Sequence, residues 1–329
     1  MKPKKWIKAV LGLIGFLLFL YLLLRIGPGP VLNHVSRFGL WFPVIFILAG
    51  AWLFFQACSW SILQNAFFGP VPLFTLYRIK IISDSLNALL PSANLGGDAA
   101  RAFLIRKHVP LREGIPGVVF DKTIEAVAAA LFLAFGLLLS SLFVKLPPGL
   151  MTPVLACLAI VIAGIALMVF FQRRGFYRIL WKVSGLVPRL RSWVQAREAQ
   201  FESLEGNLRL LYERGNFKPS AVGFHFLSRL AGVLEVFIVL RVLQVPVNFI
   251  QAIFITTVVT VANTVFFILP GQWGVTEGTQ VLLLQAMGYP AAVGLSLGII
   301  RRIRKLATIG VGLILFTLVK RRTPERGKA

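Results

Sequence analysis

Seven stretches of this chain are apolar over about 18 residues or more, which is the length at which a helix can cross a bilayer. Because hydrocarbon offers no hydrogen bonds to the backbone, such segments fold as helices. Hydrophobic residues make up 57% of the 329 positions. The sequence therefore predicts an all-α polytopic membrane protein. The apolar stretches are residues 6–26, 40–63, 115–143, 150–171, 219–243, 247–269 and 293–319.

The formal net charge of +23 is concentrated outside these stretches. The basic segments are the N-terminal "MKPKKW", residues 172–218 and the C-terminal "KRRTPERGK". Segments rich in Lys and Arg stay in the cytoplasm when a membrane protein inserts. We therefore expect a multi-pass membrane protein with both termini in the cytoplasm. Because topology accounts for the charge, no nucleic-acid partner is expected.

The segment 71–90 is also apolar, but it carries three charged residues. If the N-terminus and residues 172–218 are both cytoplasmic, the chain crosses the membrane an even number of times between them. One of the five apolar segments in that interval must then turn back, and 71–90 is the weakest. We predict a re-entrant hairpin over about 71–108. The same charge argument predicts a second hairpin, over about 247–288, that starts from the outside.

Two similar breaks interrupt the apolar pattern inside these hairpins. One reads "LPSANLGGDAARAFLIRK" (residues 90–107) and the other "LPGQWGVTEGTQVLLLQ" (residues 269–285). In both, an acidic residue follows the proline by seven positions. The match predicts two repeats, 1–143 and 150–329, each with three transmembrane helices and one re-entrant hairpin. Because three crossings is an odd number, the second repeat is inverted relative to the first.

The basic segment 172–218 has its own periodicity. Apolar side chains recur there at near-helical spacing among arginines and glutamates, which predicts an amphipathic helix on the inner leaflet. A helix that binds a protein partner is the alternative. The apolar positions are Leu190, Trp193, Val194, Phe201, Leu204, Leu208 and Leu211.

A charged turn recurs in the last long helix of each repeat. Ionisable groups at that depth are costly and usually face a cavity or one another. We interpret the two turns as ion pairs between the repeats, as the lining of a cavity for a charged headgroup, or as both. In the first repeat the charged turn contains Asp121, Lys122 and Glu125. In the second repeat, which has one extra residue before the turn, it contains Arg301, Arg302, Arg304 and Lys305.

Each break also places glycine before an acid where a new helix is expected. Gly96 and Gly97 precede Asp98, and Gly274 precedes Glu277. Free N–H groups at a helix start attract anions such as phosphate, whereas the two acids can themselves cap the helices. Both interpretations stay open. Arg101, which follows Asp98 by three residues, also belongs to the candidate site.

Catalytic and metal-binding patterns are missing from the sequence. The three histidines are scattered, and no HExxH, P-loop, GxSxG or dinucleotide fingerprint is present. The two cysteines lie in apolar segments and predict no disulfide. We expect no enzyme activity, no metal and no cofactor.

The two breaks, together with "FDKTIEA" and "IIRRIRK", resemble the flippase-like family that includes the membrane half of bacterial lysylphosphatidylglycerol synthases. The resemblance covers nearly the whole chain. It implies lipid translocation, although many stand-alone relatives, some from hopanoid gene clusters, have no assigned substrate. The synthases carry an aminoacyl-transfer domain after the membrane region. No such domain follows here, so we expect a stand-alone member that does not make lysyl-lipid.

The main hypothesis is a lipid flippase or transporter that moves an anionic, polyprenyl-type or hopanoid-type lipid by alternating access. The expected partners are membrane lipids, with a second copy of the chain or a lipid-biosynthesis enzyme as a protein partner. The alternative function is a non-transporting scaffold for lipid- or glycan-modifying enzymes. An intramembrane transferase is a third hypothesis, without a recognisable catalytic set to support it.

The re-entrant topology predicts that Lys107 and Lys218 lie in the cytoplasm and that Lys145 faces outward. Single cysteines at these positions, in a cysteine-free background, are expected to react with an impermeant maleimide in that pattern. Labelling of positions 107 and 145 from the same side would contradict the hairpin over 71–108.

Overall fold

The computed structural model describes residues 5–67, 69–89, 95–143, 218–266 and 270–321, together with isolated helical residues between 152 and 206. Within the five continuous ranges all regular structure is helical, as predicted. Short 3₁₀ turns occupy Gly39–Trp41 and Pro270–Gln272. The α-helices are α1 (Lys5–Ile26), α2 (Pro28–Phe38), α3 (Phe42–Phe67), α4 (Leu73–Leu89), α5 (Leu95–Ile105), α6 (Leu111–Phe143), α7 (Pro219–Val242), α8 (Phe249–Val265), α9 (Val275–Ala286) and α10 (Ala291–Arg321).

Three helical stretches among the described residues are long and apolar enough to cross a membrane. They are Pro28–Phe67, Gly114–Phe143 and Pro219–Val242. Gly12–Ile26 and Phe249–Val265 are apolar but shorter. The predicted span 293–319 lies in α10, where four basic residues in mid-helix interrupt the apolar run. These features confirm a helical membrane protein. The apolar positions of the predicted amphipathic helix within 172–218 lie outside the described residues.

The structure adds one helix that the sequence analysis left unassigned. Residues between the first two apolar stretches form α2, which begins at Pro28. Proline suits the first helical position because its missing N–H has no partner there. Gly27 turns the chain between α1 and α2 with a φ of 92°, a conformation that favours glycine. Val31 and Phe38 anchor α2 in the interior.

The two predicted hairpins appear as two pairs of helices with closely matched lengths. In the first pair α4 has 17 residues and α5 has 11, and in the second α8 has 17 and α9 has 12. At about 1.5 Å per residue, α5 and α9 are only about 17–18 Å long. A hydrocarbon core is about 30 Å thick. The second arm of each pair is therefore too short to cross it.

Two glycines of the first break lie inside a helix and not before it. The sequence predicts Gly96 and Gly97 ahead of the second arm, but α5 already begins at Leu95, so both lie in its first turn. Gly97 is buried against α4, where its N–H donates to the Asn87 side chain at 2.6 Å. In the other turn Gly274 does precede its helix, with a φ of 73°. A side chain at Gly97 would collide with the Ser83 carbonyl oxygen, so close helix approach explains this glycine.

Each hairpin begins and ends in one apolar cluster. Leu76 of α4 and Ile105 of α5 share a cluster, and Ile253 of α8 and Leu284 of α9 share another. The second cluster also contains Leu243, which follows the end of α7. The start of α7 instead packs with the end of α3. Helices α3 and α7 are antiparallel neighbours with the most extensive packing in the described chain, and the hairpins start at opposite ends of this pair.

The first arm of each hairpin packs against the long helix of the other half. Helix α4 lies along α10, and α8 lies along α6. Helix α9 also packs closely on α10, at Gly294 and Gly298. A Cβ at Gly294 would lie 2.6 Å from the Val281 Cα atom, and one at Gly298 would lie 2.7 Å from the Glu277 Cγ atom. Small residues four positions apart allow such close helix contact in membranes.

We predict that Gly294→Ala destabilises the protein, whereas Gly310→Ala on the same helix does not. The new methyl group at 294 would collide with the α9 backbone, and overpacking of this kind costs about 1–3 kcal/mol. Gly310 has no neighbour within 4 Å, so alanine there should be neutral or stabilise the helix by up to about 1 kcal/mol. Thermal unfolding in detergent measures both variants. Equal melting temperatures would contradict the tight contact.

Candidate functional site

Asp121 of α6 lies at the centre of a buried charged cluster. Its side chain is fully buried, and three cationic or ionisable groups surround it. Lys80 Nζ lies 3.2 Å from Oδ2, Arg101 Nη2 lies 2.5 Å from the same oxygen, and His225 Nε2 lies 3.0 Å from Oδ1. These partners come from α4, α5 and α7. One carboxylate therefore joins four helices from both halves of the chain.

Asp98, in the first turn of α5, extends this cluster. Arg101 bridges the two acids, because its Nη1 also lies 3.4 Å from Asp98 Oδ1. Lys122 Nζ lies 3.6 Å from Asp98 Oδ2 and 3.3 Å from Glu125 Oε2. The Arg101 guanidinium also stacks over the Trp60 ring, with Cζ 4.2 Å from the ring centroid. A cation on an aromatic face is stabilised most where water is excluded.

Glu277 forms a second cluster at the start of α9. Its Oε2 accepts the Gly274 N–H at 2.9 Å, which is the capping contact that the sequence suggested. The same carboxylate binds the Arg302 guanidinium through Nε and through Nη2, the latter at 2.9 Å. Arg302 stacks over Trp273 with Cζ 3.8 Å from the ring centroid. Glu277 therefore serves both as a helix cap and as an ion-pair partner.

A third cluster surrounds Glu235 of α7. Arg304 Nε lies 3.0 Å from Glu235 Oε1, and Arg301 Nε lies 3.5 Å from it. The Glu235 side chain is only 4% exposed. Both arginines belong to the charged turn of α10. This cluster therefore ties α10 to α7, as the Asp121 cluster ties α6 to α7.

The predicted pairing of the two charged turns with each other is wrong. Asp121 and Glu125 bind bases on α4, α5, α6 and α7, and the α10 arginines bind acids on α7 and α9. The reason is that α6 and α10 do not form an extensive contact in the described chain. The charged turn of α6 instead contacts α5, and the charged turn of α10 contacts α9. The Asp98–Lys122 and Glu277–Arg302 contacts consequently occupy matching places, because Glu277 follows Asp98 by 179 positions and Arg302 follows Lys122 by 180.

Helix α4 connects the first cluster to α10. Lys80 and Asp84 are four residues apart and so share a helix face. Lys80 contacts Asp121, while Asp84 interacts electrostatically with Lys305 and Arg304. The charged groups thus form one network, which we call the charged core. It comprises Lys80, Asp84, Asp98, Arg101, Asp121, Lys122, Glu125, Arg229, Glu235, Glu277, Arg301, Arg302, Arg304 and Lys305.

The charged core carries more positive than negative charge. Eight of its side chains are cationic and six are carboxylates, which gives a formal excess of two positive charges with His225 neutral. A charge at mid-helix depth in a membrane protein is costly unless a partner or a water-filled cavity stabilises it. Lys305 and Arg229 make no ion pair within 4.0 Å with any residue in the described ranges. An anionic ligand would balance this excess.

Part of the charged core is accessible although it lies in mid-helix. The Lys122 side chain is 42% exposed and that of Glu125 is 23% exposed. Lys305 is exposed, and Asp84 and Arg229 are partly exposed. A charged group in the middle of a membrane helix is very costly if it faces lipid, so it usually faces a water-filled cavity. These residues are therefore expected to line a polar, water-filled crevice rather than to face lipid.

Helix α8 contributes an uncharged polar face. Thr256, Thr260, Asn263 and Thr264 are partly or fully accessible, whereas the opposite face is buried in the apolar cluster. The three threonine hydroxyls donate to the carbonyl oxygen four residues earlier. The Asn263 side chain accepts the Thr276 hydroxyl at 2.9 Å, which joins α8 to α9. The first arm of the second hairpin thus presents hydroxyl and amide groups, whereas the first arm of the first hairpin presents charges.

Several buried polar atoms in these helices have no hydrogen-bond partner among the described residues. They include both amide atoms of Gln64 and of Gln280, together with Trp60 Nε1, Arg101 Nε and His225 Nδ1. Buried polar groups are normally satisfied by protein or ordered water. Gln280 follows Arg101 by 179 positions, so it occupies the matching place in the second hairpin.

The structure describes every predicted site residue. All of the charged candidates belong to the charged core, and Gly97 and Gly274 shape the turns beside it. Sequence reasoning left Lys80, His225 and Glu235 out of the site, although an ionisable residue in an apolar helix was a usable signal. Trp60 gave no signal, since one aromatic residue among many apolar ones is ordinary core. Within the described ranges, no group of three potential metal ligands occurs.

Comparison with known proteins agrees with the resemblance found in the sequence. Residues 6–312 match the family described as the lysylphosphatidylglycerol synthase TM region. The chain belongs to this family. One similar protein is the UPF0104 membrane protein of Methanothermobacter thermautotrophicus, which is 20% identical over 309 residues that cover 90% of each chain. No solved structure matches this family member significantly.

The contacts predict strong energetic coupling between Glu277 and Arg302 and none between Asp121 and Arg302. Removing one partner of a buried ion pair costs about 3–5 kcal/mol, because the other charge is left uncompensated. We therefore expect the Glu277→Gln/Arg302→Gln double variant to lose less stability than the sum of the losses of the two single variants. Thermal or denaturant unfolding of the four proteins measures the coupling.

The control cycle uses Asp121→Asn and Arg302→Gln, whose losses should add within about 0.5 kcal/mol because these residues share no partner. Additive losses for the Glu277–Arg302 cycle would contradict the ion pair. Strong coupling in the control cycle would restore the pairing first expected from the sequence.

Proposed function

We propose that this protein moves a lipid with an anionic headgroup across the membrane by alternating access. The observation that carries the proposal is the charged core, which has a formal excess of two positive charges and includes accessible residues in mid-helix. Such an arrangement is too costly to persist in a membrane protein without a use. An anionic headgroup would neutralise the excess while its acyl chains stay in the bilayer.

We infer that the chain consists of two inverted repeats. The helices α4, α5 and α6 have 17, 11 and 33 residues, and α8, α9 and α10 have 17, 12 and 31. The Asp98–Lys122 and Glu277–Arg302 contacts occupy matching places in these units. The reciprocal packing of α4 on α10 and α8 on α6 is what a two-fold relation would produce. Inverted repeats with broken helices near the midplane are a common transporter design.

In this mechanism the two hairpins enter from opposite sides and provide two half-sites. Gly96, Gly97, Asp98 and Arg101 form the half-site that faces the cytoplasm, and Gly274 and Glu277 form the outward-facing one. The crevice beside Lys122 and Glu125 is the path for the headgroup. Each half-site is closed by an ion pair to the following long helix. Exchange of that pair for contacts to a headgroup phosphate would couple binding to opening.

The proposal includes the orientation expected from the charge distribution. Both termini lie in the cytoplasm, and the membrane is the bacterial inner membrane. The side chains of the two hairpins suit a phosphate next to a hydroxylated group. The cations on α4 and α5 suit the phosphate, and the threonine and asparagine side chains on α8 suit the hydroxylated group. The scaffold alternative needs no accessible charge, so a transport assay separates the two functions.

The central test is lipid movement in proteoliposomes that contain fluorescent phosphatidylglycerol or phosphatidylcholine. The protein is expected to move phosphatidylglycerol faster than phosphatidylcholine, both in the presence and in the absence of a proton gradient. Lys305→Gln should slow that movement, since it removes an exposed charge near Asp84, and Lys305→Arg should retain it. Failure of the folded protein to move any lipid of a broad panel would favour the scaffold function.

Asp98→Asn separates a structural role from a transport role at the first half-site. We expect its thermal stability to fall by no more than about 1 kcal/mol, because Arg101 keeps Asp121 and Lys122 keeps Glu125 as partners, and asparagine suits a helix start. Transport should nevertheless be lost if this acid closes the half-site. Reconstituted transport and melting temperature are measured on the same preparation. Normal transport would leave Asp98 with a purely structural role.

A further inference from the structure

A groove of about 560 Å³ lies at the end of the molecule where α2 and α7 finish. It is lined by Arg37, Trp41, Arg241, Val242 and Gln244, and we call it the arginine groove. None of its lining residues belongs to the charged core. Arg241 is six residues beyond Glu235 on α7, which corresponds to about 9 Å along the helix. The groove is therefore a separate site that lies close to the charged core.

The charge of the groove is unbalanced. It contains two guanidinium groups and no acidic side chain. Neither Arg37 nor Arg241 makes an ion pair or a side-chain hydrogen bond with any residue in the described part of the chain. Each lies in the last turn of its helix, where the carbonyl ends of the helix attract a cation. That attraction explains each arginine alone, but it does not explain why both line one cavity.

The surroundings of the groove are those of a membrane interface. Helix α7 has 24 residues, or about 36 Å, so its last turn reaches the end of a membrane span. Trp41 lines the groove and is 46% exposed, and the adjacent Leu40 is 94% exposed. Tryptophan favours the headgroup level of a bilayer. An exposed leucine beside it suits contact with acyl chains rather than with water.

A pair of arginines at this level has a specific preference. Guanidinium groups bind phosphate oxygens through charge-assisted, often bidentate hydrogen bonds. A shared phosphate would relieve the repulsion between the two cations. The Gln244 amide adds a donor for an uncharged oxygen nearby. The polar groups thus suit the phosphate end of a lipid, and Leu40 and Trp41 suit its hydrophobic end.

We propose that the arginine groove binds the phosphate headgroup of an anionic phospholipid at the membrane surface. Arg37 and Arg241 contact the phosphate, and Trp41 lies beside the glycerol and upper acyl region. This site rests on the placement of the protein in a membrane and not on transport. A failure of the transport hypothesis would therefore leave it standing, and its own failure would leave transport standing.

The test is a binding titration of the full-length protein in neutral detergent with dihexanoyl-phosphatidylglycerol, followed by native mass spectrometry. The variant Arg37→Gln/Arg241→Gln is expected to bind one lipid fewer, or to bind it roughly tenfold or more weakly. Arg25→Gln is the matched control. It removes one arginine charge from the last turn of α1, where Arg25 does not line the groove and its Nη1 donates to the Tyr21 hydroxyl. The control should bind as the wild type does.

Two further measurements fix the chemistry of the ligand. Dihexanoyl-phosphatidylcholine should bind the groove roughly tenfold or more weakly than the anionic lipid. Inorganic phosphate at millimolar concentration should compete poorly, because it lacks the hydrophobic part.

Arg37→Lys/Arg241→Lys, which keeps both charges, should retain part of the affinity and should melt at the wild-type temperature.

Unchanged phosphatidylglycerol binding by a folded Arg37→Gln/Arg241→Gln protein would overturn the proposal. Equal competition by inorganic phosphate would overturn it as well, because the groove would then be a site for a soluble anion. If the glutamine variant melts at a lower temperature, the lysine variant decides. Its binding must then exceed that of the glutamine variant for the proposal to hold.

Discussion

The burial of the Asp121 carboxylate is the constraint on which the first half of the structure depends. An ionised carboxylate without access to solvent is tolerated only where cations and donors surround it. Lys80, Arg101 and His225 meet this requirement from three different helices. The position of the first hairpin relative to α6 and α7 therefore follows from one electrostatic demand. Apolar packing alone would allow these helices to slide past one another, because lipid and protein interior are equally apolar.

The same demand is met differently in the second half. Glu277 is held by Arg302, and this contact requires α9 to lie very close to α10. Gly294 and Gly298 provide that closeness, since a methyl group at either position would displace the helix or the carboxylate itself. Packing and electrostatics are thus coupled on one face of α10. This coupling explains how α10 accommodates Arg302, one of its four bases in mid-helix.

The excess of positive charge connects structure to function. Ion pairing within the charged core leaves two cations unbalanced, and the arginine groove contains two more. Under the two proposals both places would accept the same chemistry, a phosphate with an apolar tail. Arg241 of the groove lies about 9 Å along α7 from Glu235 of the charged core. An interfacial site close to a charged crevice would let a lipid pass from the bilayer into the protein.

The sequence by itself determined the long apolar helices and the two pairs of hairpin arms. Apolar length, prolines and glycines act locally, so α4, α5, α8 and α9 could be located without any knowledge of their neighbours. It also located the ionisable groups in the apolar segments. Only the tertiary structure decided which of them pair, because partners depend on which helices lie side by side. The expected pairing of the two charged turns with each other was wrong for that reason. The arginine groove likewise depends on how the ends of separate helices meet, which no local pattern records.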